Sequence, residues 1–171
     1  MKINVFMWLA FQDRLPTGVV LKKHNWKGDG CCIICKILES ADHILFCCPL
    51  AKFAWACARE ALQWGRTPSS MQDFLESWLP LGCRNYKAKM MLFARVLWTL
   101  KTVRNKMAIK GVFVQAPSSI IFKFDSFIQR WRQLLRASDR ATLDGWRAQV
   151  KGWMEAFLEK IRDRPPAYFF L

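Results

Sequence analysis

Apolar residues recur along most of the chain at the three- and four-residue spacing that is typical of amphipathic helices. The clearest stripe lies in residues 120–135, and a similar stripe covers residues 143–161. A further long helix is predicted over about 85–109, whereas only residues 111–115 are compatible with a short strand. The pattern therefore predicts a mainly α protein whose second half consists of about three long amphipathic helices.

The first half of the chain predicts shorter helices with local start and stop signals. Residues 3–15 have an amphipathic pattern that ends before Pro16, and Thr17 is a typical N-cap for a second short helix. Ser40 suits the cap of another short helix, and Pro49 suits the first turn of a longer one. We therefore divide the chain into a small module (residues 1–66), a helical extension (67–164) and a tail (165–171).

Composition favours a folded chain that does not cross a membrane. Hydrophobic residues make up 53% of the 171 residues and aromatic residues 14%, which is too apolar for a disordered protein. No apolar run approaches the roughly 18–20 residues needed to span a bilayer, and the N-terminus lacks the features of a signal peptide. We expect an intracellular protein, in the nucleus or the cytoplasm, with no membrane contact.

Five of the seven cysteines, together with one of the two histidines, lie within residues 31–48. The spacing C-x2-C-x7-H-x4-C of Cys32, Cys35, His43 and Cys48 supplies three thiolates and one imidazole, which is the ligand set of a structural zinc site. Such a set fills a tetrahedral Zn²⁺ and leaves no position for a substrate. The sequence therefore predicts one structural Zn²⁺ held in a zinc knuckle among short helices.

The spacing alone leaves alternatives for the ligands. Cys31 could replace Cys32, and Cys47 lies four residues after His43, on the same face of a helix. Cys48 is favoured because a residue before proline is displaced from helical geometry. The cluster could instead be apolar core filling, since free cysteine packs well in protein interiors. A disulfide framework is disfavoured by the odd number of cysteines and by the expected reducing compartment.

The positive charge is concentrated in one part of the chain. The net charge is +14, and residues 81–136 carry twelve Lys or Arg residues against a single acid, Asp125. Such an asymmetry favours contact with nucleic-acid phosphates without reading of sequence. We predict RNA or DNA as the partner, with contacts from Lys101, Arg104, Lys106, Lys110, Lys123, Arg130, Arg132 and Arg136.

The nine tryptophans divide into two groups. Trp131, Trp146 and Trp153 fall on apolar stripes and are expected in the core. Trp26 and Trp64 lie near turns and are the better candidates for exposure. Cys57 and Cys83 are likewise expected to be core residues.

Three segments resemble a known family. They are KINVFMWLAFQDRLPTGVVLKKHNW (2–26), CIIC (32–35) and ESADHILFCCPLAKFAW (39–55). They are similar to the zinc-binding region that follows the polymerase domain in non-LTR (LINE-type) retrotransposon reverse transcriptases of plants, and VLWTLKTVRNKM (96–107) is similar to a segment that often follows it. The resemblance implies that the zinc ligands are Cys32, Cys35, His43 and Cys48, and it argues against Cys47. Lys36 stands where the family commonly has a glycine in a left-handed conformation.

Catalytic motifs are missing from the sequence. Neither the paired aspartates of a polymerase nor a GxSxG, P-loop or HExxH motif occurs. We therefore expect no enzyme activity and no small-molecule substrate. The first hypothesis is a structural-zinc accessory module of a retrotransposon reverse transcriptase that binds RNA or DNA. The alternative is a protein-interaction module, with the polymerase domain of a reverse transcriptase or a host protein as its partner, or a decayed retroelement fragment without activity.

Overall fold

The computed structural model describes residues 2–78, 86–114 and 118–162, most of which are helical. The helices are α1 (Lys2–Phe11), α2 (Gly18–Lys23), a π-helical turn (His43–Cys47), α3 (Pro49–Leu62), α4 (Met71–Asp73) with a second π-helical turn (Phe74–Trp78), α5 (Tyr86–Lys110), α6 (Ser118–Trp131) with a 3-10 turn (Arg132–Leu134), and α7 (Ala137–Arg162). The mainly α prediction is confirmed. Residues 111–114 are not part of a strand, and residue 115 lies outside the described residues.

The starts of the short helices follow the predicted local signals. The Thr17 hydroxyl accepts a hydrogen bond from the Val20 N–H (3.5 Å), and the Ser40 hydroxyl accepts one from the His43 N–H (3.1 Å). Pro49 occupies the first turn of α3, where its missing N–H leaves no hydrogen bond unmade. These caps fix where the helices that flank the cysteine-rich segment begin.

One hydrophobic core connects the two halves of the chain. The first π-helical turn packs against both α3 and α5, α3 packs against α7, and α1 packs against α5. Within this core Phe46 and Trp55 stack at 6.0 Å between ring centroids, and Trp55 meets Phe93 of α5 at 5.6 Å. The long helices therefore hold the cysteine-rich segment in place. The division at residues 66 and 67 stays a prediction, and the tail lies outside the described residues.

Most of the predicted core residues are placed as expected. Cys57 is buried, and Trp146 and Trp153 are half-buried against the core. Cys83 and the side chain of Trp131 lie outside the described residues.

The two tryptophans expected to be exposed differ. Trp26 is 50% exposed, as predicted. Trp64 is half-buried instead, because its ring packs edge-to-face against Trp78 with centroids 4.7 Å apart.

No helix in the described part of the chain is long and apolar enough to cross a bilayer.

Candidate metal centre

The zinc knuckle is a short hairpin that follows α2 and is closed by a bridge between Cys31 and Leu38. The Cys32 N–H donates to the Ile37 carbonyl (2.7 Å), and the Lys36 N–H donates to the Cys32 carbonyl (2.9 Å), so that the chain reverses direction between Cys32 and Cys35. Lys36 has φ +60°, a left-handed conformation that favours glycine. This is the position at which the reverse-transcriptase family that the sequence resembles commonly has a glycine. The backbone therefore adopts the turn that the CxxC spacing predicts, in spite of the lysine.

The first π-helical turn links the other two candidate ligands. The Cys48 N–H donates to the His43 carbonyl (2.7 Å), an i→i+5 hydrogen bond. A π turn contains one residue more than an α-helical turn, so the residue one turn beyond His43 is Cys48 and not Cys47. Cys48 itself has φ −58° and ψ 143°, the extended conformation expected before Pro49.

These two segments bring four side chains together. One ligand atom from each of Cys32, Cys35, His43 and Cys48 lies within 4.8 Å of all the others. The Cys32 and Cys48 sulfurs are 3.8 Å apart, and the Cys35 sulfur is 3.1 Å from His43 Nε2. Two thiolates that each lie 2.3 Å from one tetrahedral Zn²⁺ are separated by about 3.8 Å. The arrangement of the sulfurs therefore fits a single zinc ion.

Burial of the cluster matches a closed structural site. Cys32, His43 and Cys48 are buried, and Cys35 is half-buried. Burial, with a smaller contribution from the adjacent Cys32, raises the pKa of the Cys48 thiol to about 12. A metal ion must displace this proton, because the thiolate is the form of cysteine that binds metal. Zinc affinity is therefore expected to rise with pH.

The two neighbouring cysteines stay outside the cluster. The Cys47 side chain is exposed, and Cys31 is half-buried with its sulfur 3.8 Å from the Asp29 carbonyl. The alternatives in which Cys31 or Cys47 serves as a ligand are therefore not supported by the arrangement of the side chains. The assignment of each individual ligand stays a prediction.

A family comparison bears directly on this site. Residues 1–55 match the family model for zinc-binding in reverse transcriptase. The prediction of a reverse-transcriptase zinc-binding region is confirmed, and so is zinc as the cofactor, since the match and the four-residue cluster agree. The match concerns the zinc-binding region and not a polymerase domain. No curated protein and no solved structure matches the chain.

The reverse-transcriptase zinc-binding region is attached to the rest of the fold at Glu39. This carboxylate is 1% exposed, and its Oε1 accepts a hydrogen bond from the Gly18 N–H at the start of α2 (2.9 Å). Arg104 of α5 donates from Nε to Glu39 Oε2 (2.8 Å) and from Nη2 to Oε1. Glu39 thus joins α2, the knuckle and α5 in one buried ion pair. Glu39 falls within residues 39–55, one of the segments that resemble the reverse-transcriptase family. Nothing in the sequence indicates that its partner, Arg104, lies 65 residues further along the chain.

This ion pair removes Arg104 from the predicted set of phosphate contacts. The Arg104 side chain is only 14% exposed, and its guanidinium is used within the fold. Arg132 is also paired, since it donates to both carboxylate oxygens of Asp144 (2.7 and 2.6 Å), although both side chains are exposed.

The other predicted basic residues lie on or near the surface of α5, α6 and the turn that follows. Lys106, Lys110, Arg130 and Arg136 are exposed, whereas Lys101 and Lys123 are half-buried. Lys101 Nζ lies 4.9 Å from the centre of the Trp98 ring, a cation–π contact that still leaves the ammonium near solvent.

Like charges approach each other across the two helices. Burial, together with the positive charge of Lys106, lowers the pKa of Lys123. Burial and, to a smaller extent, the charge of Arg130 lower the pKa of Arg95 to about 10. Packing of α5 against α6 therefore places cations of one helix beside cations of the other.

Proposed function

We propose that the chain is a non-catalytic accessory module of a non-LTR retrotransposon reverse transcriptase, present in the nucleus or the cytoplasm, that binds RNA or DNA. The contacts are made by the α5–α6 basic surface, which consists of Lys101, Lys106, Lys110, Lys123, Arg130 and Arg136. The observation that carries the proposal is the approach of like charges across α5 and α6. It is supported by the match of residues 1–55 to a zinc-binding family of reverse transcriptases.

Like charges side by side raise the free energy of the folded state unless a counterion is present. Lys106 and Lys123 repel each other. The one acid on these helices, Asp125, does not relieve this repulsion, because it is paired with Arg147 of α7 at 2.6 Å. A polyanion such as a phosphate backbone supplies the missing negative charge and releases its own counterions.

Contacts of this kind position a nucleic acid without reading its sequence. We therefore expect binding of both an RNA hairpin and single-stranded DNA, with an affinity that falls steeply as the salt concentration rises. The zinc site does not take part chemically, since its four candidate ligands leave no open coordination position. Its role in this proposal is to fix the fold from which the basic helices project.

Reversal of two charges on the α5–α6 basic surface tests the proposal. The double variant Lys106→Glu/Arg130→Glu is expected to raise the dissociation constant for a labelled RNA hairpin at least tenfold at about 50 mM salt, and to reduce the salt slope by about two. Its melting temperature is expected to stay equal or to rise, because the like-charge contact between Lys106 and Lys123 is removed. Fluorescence anisotropy at several salt concentrations measures the first effect, and circular dichroism measures the second.

A matched control tests whether the affinity depends on this surface or only on the net charge of the protein. Lys52→Glu/Lys160→Glu changes the net charge by the same amount at exposed residues of α3 and α7. This control is expected to leave the affinity within about threefold of the unaltered protein. Equal losses in the two double variants would contradict the assignment to α5 and α6, and no binding by the unaltered protein at low salt would contradict nucleic-acid binding altogether.

A second candidate function is docking of the polymerase domain of a reverse transcriptase. It is favoured by a groove of about 510 Å³ between α1 and α5, lined by apolar side chains that include Met7, Phe11 and Met90. Trp8 lies in this groove and is 56% exposed. Exposed apolar surface of this kind is typical of an interface with another protein.

Substitution of Trp8 tests the docking function. If the polymerase domain binds in the groove, Trp8→Ala is expected to weaken the complex at least tenfold, because a large aromatic anchor is lost. Isothermal titration of a purified polymerase domain with the chain measures the change, and Trp26→Ala is the control with a similarly exposed tryptophan. Unchanged affinity after Trp8→Ala would exclude this groove as the docking site.

A further inference from the structure

The indole of Trp26 is an exposed aromatic ring beside the knuckle. Trp26 follows α2. Its backbone N–H donates to the Leu21 carbonyl (3.1 Å), and its side chain is half exposed. Large aromatic side chains normally contribute their area to a core or to an interface. Packing within the fold therefore does not account for this ring.

The ring lies against a glycine. A Cβ atom added to Gly28 would lie 2.1 to 2.4 Å from three carbons of the Trp26 six-membered ring, far inside van der Waals contact. The indole therefore lies directly against the Gly28 backbone, in a place that only glycine leaves open.

Trp26 also lines a recess of about 270 Å³ between the knuckle and α5. Ile33 and Ala108 add apolar surface to this recess, and Asp29 and Lys36 bring a carboxylate and an ammonium group to it. A nucleobase combines the same properties, since it has an aromatic face and an edge with both hydrogen-bond donors and acceptors. The recess is small enough to select one planar ring system rather than a long segment of polymer.

The charge around the ring favours a ligand that carries phosphates. Residues 18–39 contain four lysines and two acids, Asp29 and Glu39, of which Glu39 is already paired with Arg104. Lys22, Lys23, Lys27 and Lys36 are exposed, and Lys36 lines the recess, so we expect phosphates on either side of a stacked base to meet positive charge. An apolar protein surface would gain nothing from this excess of positive charge.

We propose that Trp26 and the recess beside it bind an unpaired base of a single-stranded nucleic acid by stacking. The proposal rests on the nucleic-acid binding proposed above and names the class of substrate, because bases inside a duplex are stacked on each other and cannot reach the ring. The α5–α6 basic surface contacts phosphates of any strand, whereas Trp26 adds a preference for strands with accessible bases.

Three labelled probes test this inference: a single-stranded DNA 12-mer, an abasic strand of equal length and charge, and a DNA duplex. The base-containing single strand is expected to bind about tenfold more tightly than the abasic strand, since stacking on one aromatic side chain contributes a factor of this order. Trp26→Ala is expected to reduce its affinity to that of the abasic strand and to leave abasic binding unchanged. Trp26→Phe is expected to retain part of the preference.

Two further variants show whether the position of the ring matters. Gly28→Ala keeps the indole but displaces it, so the preference for the base-containing strand is expected to fall. Leu75→Ala removes a similarly exposed apolar side chain from the second π-helical turn and is expected to change neither affinity. Bound zinc and the melting temperature show that each variant is folded.

The outcomes distinguish the two proposals. Equal affinity for the base-containing and abasic strands, unaffected by Trp26→Ala, would overturn the stacking site and leave phosphate binding by α5 and α6 intact; Trp26 would then belong to a protein interface. Absence of binding to all three probes at low salt would overturn the proposed function and the stacking site together.

Discussion

Replacement of Cys35 by serine is expected to weaken zinc binding strongly and to destabilise the segment between α2 and α3. A hydroxyl is a poor ligand for Zn²⁺, so the loss of one thiolate lowers the affinity by at least about 100-fold. Within the knuckle, the regular pairing of the described chain is a single bridge between Cys31 and Leu38, so the metal is the main link between Cys35 and the rest of the site. Metal binding supplies about 10–16 kcal/mol in small zinc modules, which exceeds the stability of many whole domains.

Metal analysis and circular dichroism measure this effect. The unaltered protein is expected to contain one equivalent of zinc and to lose its cooperative melting transition when a strong chelator is added. Cys47→Ser is the matched control, because Cys47 is exposed and lies outside the cluster. One equivalent of zinc with unchanged melting in Cys35→Ser would refute the site, and loss of zinc in Cys47→Ser would refute the choice of Cys48.

The second large effect is expected from Arg104→Ala. This change leaves the Glu39 carboxylate buried without its charge partner, which costs about 3–5 kcal/mol in the free energy of unfolding. Urea denaturation of the zinc-loaded protein measures the loss. The double variant Glu39→Gln/Arg104→Met is expected to recover much of it, because neither side chain then carries an unpaired charge.

A second arginine serves as the control for this prediction. Arg132→Ala removes an ion pair of similar geometry to Asp144, but both of these side chains are exposed to solvent. Its unfolding free energy is therefore expected to stay close to that of the unaltered protein. Equal destabilisation by Arg104→Ala and Arg132→Ala would show that the Glu39 pair is no more important than a surface contact.

Local signals made the helices predictable from the sequence. Thr17 and Ser40 cap helices because their hydroxyls accept hydrogen bonds from N–H groups three residues later, a property of a few neighbouring residues. The long helices follow from their apolar spacing, and α5 begins and ends within one residue of its predicted bounds. The four clustered side chains were likewise predictable, because a CxxC turn and a nearby histidine constrain one another over a short distance.

The choice between Cys47 and Cys48 could not be made from helical spacing. In an α-helix Cys47 would share a face with His43. The i→i+5 hydrogen bond from the Cys48 N–H to the His43 carbonyl adds one residue to the turn, so that Cys48 and not Cys47 faces the histidine. The sequence does not reveal that bond, although Pro49 indicates that Cys48 leaves helical geometry.

Contacts between residues that are distant in the chain could not be predicted from the sequence. Arg104 looks like any other cation of α5 until the fold brings it to Glu39, 65 residues earlier. Trp64 looks exposed until Trp78 covers it. Both contacts depend on how helices distant in the chain pack together, which neither spacing nor composition specifies.

The extra residue in the turn from His43 to Cys47 also bears on how this region tolerates changes in length. A bulge of this type is the form in which a helix absorbs a one-residue insertion without disturbing the residues on either side. A chain shorter by one residue at this point would form an ordinary helical turn, and its final cysteine would still face the imidazole. Gaps of three and of four residues between histidine and cysteine are thus both compatible with the same zinc geometry.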